Sequence, residues 1–268
     1  MDDLFVDQSE LRDHIGETGV SIVDAREPFF YAQGHLPGAV NLPALLMRAR
    51  SRDSAGAESL ARQLGEAGID RDSHVVLYDD GSSPSAAILY WLLDTIGHPR
   101  ISILNGGITT WRHRGLDIDY LSSRPAPAQY IRESANPRAK AVLEDVIEAV
   151  GSPDVLILDV RSPAEYLGLQ TSAARDGHIP GALNVDASTN FERDADGLVQ
   201  VKSRAELRLL YESAGVTGDK DIIVHCQTGA RSALTYAVLK NLGYERVRHY
   251  DAGWQEWGNR SDTPVDRE

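Results

Sequence analysis

DIIVHCQTGARSALTYAVLKNLG, residues 221–243, holds an apolar run, a short glycine-bearing turn and a helical pattern without interruption. A short β-branched run bounded by a turn reads as a buried strand, and the apolar period after it reads as a helix. The turn contains Cys226, the only cysteine among 268 residues. In parallel α/β sheets ligands gather outside the carboxyl ends of the strands, which is where this thiol falls. Loop amides and the positive end of a helix dipole favour an anion, so the setting favours thiolate over thiol. Gly229 lets the backbone curl around the sulfur, and Arg231 adds a permanent positive charge suited to oxyanions. The helix is expected to begin near Ser232, with the Ser232 hydroxyl as its cap. A lone cysteine is often just a small buried hydrophobe. Here the strand end, the glycine and the arginine together point to a nucleophile in an anion-binding loop.

Loop length narrows the anion. Cysteine-dependent phosphatases wrap a phosphoryl group with a C-x5-R loop, whereas Cys226 to Arg231 is C-x4-R. The smaller ring suits a single terminal sulfur better than a group with three equatorial oxygens.

The chain also repeats itself. Asp24-Ala25-Arg26 recurs as Asp159-Val160-Arg161, and GHLPGAVN (34–41) recurs as GHIPGALN (177–184). VVLYDDGSSPSAAILYWLL from Val75 aligns with IIVHCQTGARSALTYAVLK from Ile222, and LNGGITTW (104–111) matches YDAGWQEW (250–257). Four matches in the same order imply two homologous domains. The proline-bearing stretch SSRPAPAQYIRESANPRAK (122–140) reads as an extended connector. The expected division is an inactive domain at 1–122, a linker at 123–140 and a catalytic domain at 141–268. Strands SIVDA, HVVLYD and ISILN in the first half, and VLILDV, DIIVHC and VRHYD in the second, alternate with helical patterns. The expected fold is therefore α/β, each domain a small parallel sheet flanked by helices.

Composition excludes several classes. A net charge of −13 argues against nucleic-acid binding, yet leaves room for a small anion in a locally positive pocket. One cysteine cannot form an internal disulfide or a cysteine-rich metal site, and the eight histidines show no metal-ligand spacing. No metal or cofactor is expected. The acidic start MDDLFVDQSE does not read as a signal peptide, and no apolar run approaches the ~20 residues needed to span a bilayer. The expectation is a cytoplasmic protein without membrane contact.

DAR with GHLPGAVN, and DVR with GHIPGALN, HCQTGARS and the ending AGWQEWGNRSDTPV, resemble the tandem-domain rhodanese family of thiosulfate sulfurtransferases. The likeness extends over nearly the whole chain, most of all to the bacterial Azotobacter-type branch with its CQT-initiated loop. It implies two rhodanese-like domains and a double displacement. Cys226 would take the outer sulfur from a small anionic donor such as thiosulfate, and the resulting persulfide would pass it to cyanide or a thiol acceptor. It also implies substrate-binding roles for the loop residues Gln227, Thr228, Gly229, Ala230, Arg231 and Ser232, and for Arg161 beside the loop. Alternatives within the resemblance are a 3-mercaptopyruvate sulfurtransferase, and a sulfur-relay or binding protein that uses the same fold. The mercaptopyruvate loop pattern CG-[ST]-GV-[ST] differs from CQTGAR at Gln227, Ala230 and Arg231, which favours thiosulfate. Animal-type members carry a second arginine four residues after the position of Arg161. Here that position is Glu165, expected to hold Arg161 in an ion pair.

The first half has lost this chemistry. Asp79 aligns with Cys226 and Pro84 with Arg231, so no thiol is available there. His35 and His178, and Asp24 and Asp159, recur in both halves, and recurrence in a silent half points to structural roles. His225 precedes the cysteine, but successive strand residues face opposite sides, so its ring is expected to point away from the sulfur. Trp254 and Trp257 are expected to pack near a domain interface.

Overall fold

The computed structural model describes residues 3–51, 56–133 and 135–267. The chain separates into two compact units, one of Met1–Asn136 with Glu192–Val201, the other of Pro137–Phe191 with Lys202–Glu268. In the first unit, strands β1 (Phe5–Val6), β2 (Val20–Asp24), β3 (Val40–Asn41), β4 (His74–Tyr78) and β5 (Ile101–Leu104) form a sheet in the order β1-β5-β4-β2-β3. Helices α1 (Gln8–His14), α2 (Pro28–Ala32), α3 (Ala44–Arg50), α4 (Gly56–Glu66), α5 (Ser85–Thr95) and α6 (Gly107–His113) alternate with them.

The second unit begins with α7 (Leu143–Ala149), β6 (Val155–Asp159), α8 (Pro163–Tyr166) and β7 (Leu183–Asn184). The short strands β8 (Phe191–Arg193) and β9 (Val199–Val201) pair with each other and, apart from Phe191, belong to the first unit. Then follow α9 (Arg204–Ser213), β10 (Asp221–His225), α10 (Ala230–Asn241), β11 (Val247–Tyr250) and α11 (Gly253–Trp257). The main sheet has the order β11-β10-β6-β7, the counterpart of β5-β4-β2-β3. Where the first unit places β1 against β5, the second has, among the described residues, a single parallel bridge from Lys140 to His249. All pairings within the two main sheets are parallel, as the alternation of strand and helix patterns requires.

Short strands are held here by burial. Ile222, Ile223 and Val224 of β10 are each fully enclosed, because both faces of a parallel sheet are covered and a continuous apolar run is what such a strand needs. Helix α10 is buried from Ser232 to Leu239, so it is apolar on all sides rather than on a stripe. Helix α9 lies at the surface and keeps an amphipathic pattern, burying Leu207 and Tyr211. Its Ser203–Glu206 capping box satisfies the first orphan amides.

The stretch read as a linker is extended, but its first part is packed on the first unit. The Ala128 amide donates to the Gly65 carbonyl, the Asn136 amide to the Thr95 carbonyl, and Tyr130 meets His98. Trp254 and Trp257 do not lie at an edge. Both are fully buried in the second unit's own core with Ile157, Ile179, Ile223 and Tyr250.

The order β11-β10-β6-β7 means that the chain leaves β6 toward one edge first and toward the other later. The carboxyl ends of β6 and β10 therefore flank a topological switch point, the usual ligand position in an open α/β sheet. Asp159 ends β6, and Cys226 follows β10.

Candidate active site

Cys226 is 1% exposed and lies on the floor of the turn between β10 and α10. Helix α10 starts at Ala230, two residues earlier than expected, with Gly229 at its N-cap at φ 80°. That left-handed conformation is costly for a residue with a Cβ. No side chain caps the helix. The first-turn amides therefore remain orphan donors on the side facing the turn, and twelve residues of helix add a dipole with its positive end there.

Ser232 is not the cap. It sits in the first turn of α10, buried, and its hydroxyl donates to Cys226 Sγ at 3.4 Å while lying 2.8 Å from His249 Nε2. His249, in β11, has no counterpart in the sequence reasoning. The register of β11 beside β10, with His249 opposite Val224, brings it to α10, and that pairing is not visible in a local pattern.

The loop is tied down from below. The Trp254 amide donates to the Cys226 carbonyl and the Gln255 amide to the Gln227 carbonyl, each at 2.8 Å. Gly253 makes this approach possible. It has φ +58°, and a Cβ there would lie 2.4 Å from the Cys226 carbonyl oxygen, closer than atoms can approach. The repeat YDAGW contains this glycine, but only the three-dimensional contact gives its reason. Gln227 is half-buried and Thr228 exposed on the outer part of the turn, while Gly229 is buried and Ala230 half-buried.

Arg231 and Glu165 form a two-pronged pair, with Nη1 to Oε2 at 2.7 Å and Nη2 to Oε1 at 2.8 Å. The Arg231 hydrogen bonds hold the Glu165 carboxyl down at about 2. Glu165 in turn raises the Arg231 guanidinium above its ordinary value, with a smaller contribution from the Cys226 sulfur. Glu165 also closes the capping box of α8 with Ser162, so it is fixed at both ends. The expected partner of Glu165 was Arg161, and the structure corrects this.

Arg161 is 1% exposed. Its Nε spans both Asp159 carboxylate oxygens at 3.0 Å, and its Nη2 donates to Asp159 Oδ2 at 2.6 Å and to the Gly177 carbonyl at 2.8 Å. The Trp254 ring lies 4.4 Å from its guanidinium carbon, a cation–π contact. These contacts hold Nε, Nη2 and one face of the guanidinium to the end of β6, the Gly177 carbonyl and the Trp254 ring. The first unit repeats the arrangement, with Arg26 on Asp24 and the Gly34 carbonyl. The repeated histidines behave alike too. His35 stacks on Tyr31 at 3.8 Å and His178 on Tyr166 at 3.7 Å, each with Nδ1 on that tyrosine's carbonyl. His225 is fully buried, with Nε2 3.7 Å from Asp159 Oδ2 and Nδ1 3.3 Å from the Cys226 carbonyl. Its ring thus meets the Asp159 side of the sheet, and burial lowers its proton affinity.

In the first unit the equivalent turn cradles its own carboxylate. Asp79 accepts from the Gly81 amide at 2.7 Å and the Ala86 amide at 2.9 Å. Burial pushes its carboxyl up to about 6 despite these bonds. A carboxylate bonded to two loop amides stands there in place of the cysteine sulfur. Among the described residues no group of three or more His, Cys, Asp or Glu could hold a metal ion, and no helix is long and apolar enough to cross a membrane.

Two turns of the same build, each at a sheet switch point, agree with the comparison to known families. The rhodanese-like domain matches twice, over residues 7–114 and 142–260. The chain belongs to the rhodanese family. Its rhodanese relatives include the thiosulfate sulfurtransferase of Pseudomonas aeruginosa, 34% identical over 98% of this chain and 97% of that one. The thiosulfate sulfurtransferase of Azotobacter vinelandii is 36% identical, again over 98% and 97%. Among solved structures, the rhodanese-fold SseA of Escherichia coli, described with the mechanism of 3-mercaptopyruvate sulfotransferases, superposes with a TM-score of 0.79. It is 31% identical over 94% of this chain and 99% of that chain.

Proposed function

We propose that this rhodanese is a thiosulfate sulfurtransferase whose sulfur carrier is Cys226. The observation that carries this reading is the buried thiol at the carboxyl end of β10, with the uncapped start of α10 and Arg231 beside it. Full-length likeness to two proteins named thiosulfate sulfurtransferase supports it.

The Cys226 thiolate attacks the outer sulfur of thiosulfate. A new S–S bond forms, the bond between the two thiosulfate sulfurs breaks, and sulfite leaves with the electron pair. The outer sulfur of the Cys226 persulfide carries the negative charge, which the first-turn amides of α10 stabilise as a preorganised donor set. An acceptor, cyanide or a thiolate, then attacks that outer sulfur, and the electron pair of the broken S–S bond returns to Cys226. Arg231 is the binding group for the sulfonate end of the donor. Gln227, Thr228, Gly229, Ala230 and Ser232 line the turn. Arg161 is a supporting residue that holds the end of β6 and the Trp254 ring. The first repeat, residues 1–122, is catalytically silent, since Asp79 occupies the position of the thiol and cannot form a persulfide, and 141–268 carries the reaction. A cytoplasmic setting suits a single thiol that must stay reduced.

Turnover of thiosulfate and of 3-mercaptopyruvate with cyanide as acceptor, beside Cys226→Ser, tests the reading. Thiosulfate should be the better donor and the serine variant inactive. A preference for 3-mercaptopyruvate would assign that activity instead.

A further inference from the structure

Ser232 and His249 are buried polar groups that sulfur transfer by the loop amides alone does not require. Ser232 Oγ bridges Cys226 Sγ, at 3.4 Å, and His249 Nε2, at 2.8 Å, and both residues are 0% exposed. A hydroxyl has one hydrogen. When Cys226 is a thiolate, that hydrogen is used toward the sulfur, so the Ser232 oxygen must accept from an Nε2–H of His249. The imidazole tautomer thus fixes which way the serine hydroxyl points. A buried hydrogen-bond chain held in one orientation is stiff, and its members act together rather than separately.

We propose that His249 is a positioning residue that orients the Ser232 hydroxyl toward Cys226, so that Ser232 is a catalytic contact for the thiolate as nucleophile and as leaving group. The proposal rests on the sulfurtransferase reading for its chemistry and on the hydrogen-bond geometry alone for its existence. While the persulfide stands, the charge lies on the outer sulfur and the Ser232 bond to Sγ weakens. When the acceptor removes that sulfur, the electron pair returns to Sγ and Ser232 again donates to an anion. The relay therefore favours breakage of the persulfide bond and acts on kcat more than on KM.

The charged and titratable groups around the pair are few. Arg231 faces the sulfur from α10 with Glu165 of α8 behind it. His225 precedes the cysteine on β10 and meets Asp159, itself bonded to Arg161. The Tyr236 ring of α10 lies 6.2 Å from the His249 ring, and Lys140 pairs with His249 through a parallel backbone bridge. Ser232 bonds to both the sulfur and His249.

The test is the pH profile of iodoacetamide alkylation at Cys226, in the absence of any sulfur donor, for the wild type, Ser232→Ala, His249→Phe and the double variant. Each single variant should lower alkylation near neutral pH by about tenfold and move the profile to higher pH, as loss of a bond to a charged group implies. The double variant should be no slower than the slower single one. His249→Gln, which keeps an N–H donor, should recover part of the loss, and kcat should fall with KM little changed. His249→Asn, too short to reach Ser232, replaces the Phe variant if that one does not fold, and is held to the same outcomes. A His249 variant that alkylates like wild type, or single effects that multiply in the double variant, would overturn the relay. Because alkylation needs no thiosulfate, a shifted profile in a protein that turns over no sulfur donor would sink the proposed activity and leave the relay standing.

Discussion

Arg231, next to the reactive sulfur, is gripped by Glu165 through two hydrogen bonds of 2.7 and 2.8 Å. The cation that should attract an anionic donor is therefore already paired with a carboxylate. This pair positions the guanidinium and also weakens its field toward a second anion. Donor binding becomes a competition between Glu165 and the donor for the same fork of N–H groups.

Glu165→Gln keeps one acceptor for Arg231 and removes the competing charge. The KM for thiosulfate should fall by about three- to tenfold, an effect that salt diminishes. Steady-state kinetics at low and high ionic strength check this, and a raised KM would mean that the full ion pair is needed to aim Arg231.

The same pair sets an acid limit. The folded-state carboxyl of Glu165 titrates at about 2, below an ordinary value of 4.5, chiefly through the Arg231 hydrogen bonds. Its contribution to stability is complete above about pH 4.5 and is lost as pH falls toward 2. Urea unfolding across that range should show a shallower acid loss for Glu165→Gln than for the wild type.

How much of this was legible beforehand differs by residue. The strand, the turn, Cys226 and the two-domain repeat stand in the linear sequence, because apolar period and spacing are local properties. The contacts of Arg161 and Ser232 do not. Arg161 reads as a free cation until the Gly177 carbonyl and the Trp254 ring are folded against it. Ser232 reads as a cap until β11 brings His249 beside it. Glu165 is close to Arg161 in sequence but reaches Arg231, 66 residues away. Partners distant along the chain are set by sheet register and helix docking, which no local pattern encodes.

Arg161→Lys separates support from substrate contact. A lysine keeps the charge opposite Asp159 but not the fork together with the Gly177 bond, and leaving a buried acceptor unsatisfied costs about 1–3 kcal/mol. Thermal or urea unfolding should show a loss of that order, while the KM of the remaining folded enzyme for thiosulfate stays within a few-fold of wild type. A large rise in KM with stability intact would return Arg161 to the donor site.

Gly253→Ala tests the anchoring of the loop. The added Cβ would press on the Cys226 carbonyl at 2.4 Å, and the backbone there has positive φ. The loop must shift, so kcat should drop by at least about tenfold, as misplacement of a reacting group implies, with circular dichroism unchanged. Unaltered kcat would show that the Trp254 and Gln255 amides do not hold the reactive geometry.

Asp79 gives a signal in the first unit. With its carboxyl raised to about 6 by burial, the folded chain binds this proton more tightly than the unfolded chain does. Stability from this group therefore rises as pH falls from about 6 toward its ordinary value near 4. The difference in unfolding free energy between the wild type and Asp79→Asn should change across that window and be flat above it. A difference that stays constant from pH 7 to about 4 would contradict the account.

The central claim is that Cys226 carries the transferred sulfur. Intact-mass measurement after incubation with thiosulfate and removal of excess donor tests it most directly. The account predicts a gain of one sulfur atom in the wild type, reversed by cyanide, and no gain in Cys226→Ser. A wild-type protein with unchanged mass, or a serine variant that gains the same sulfur, would contradict it.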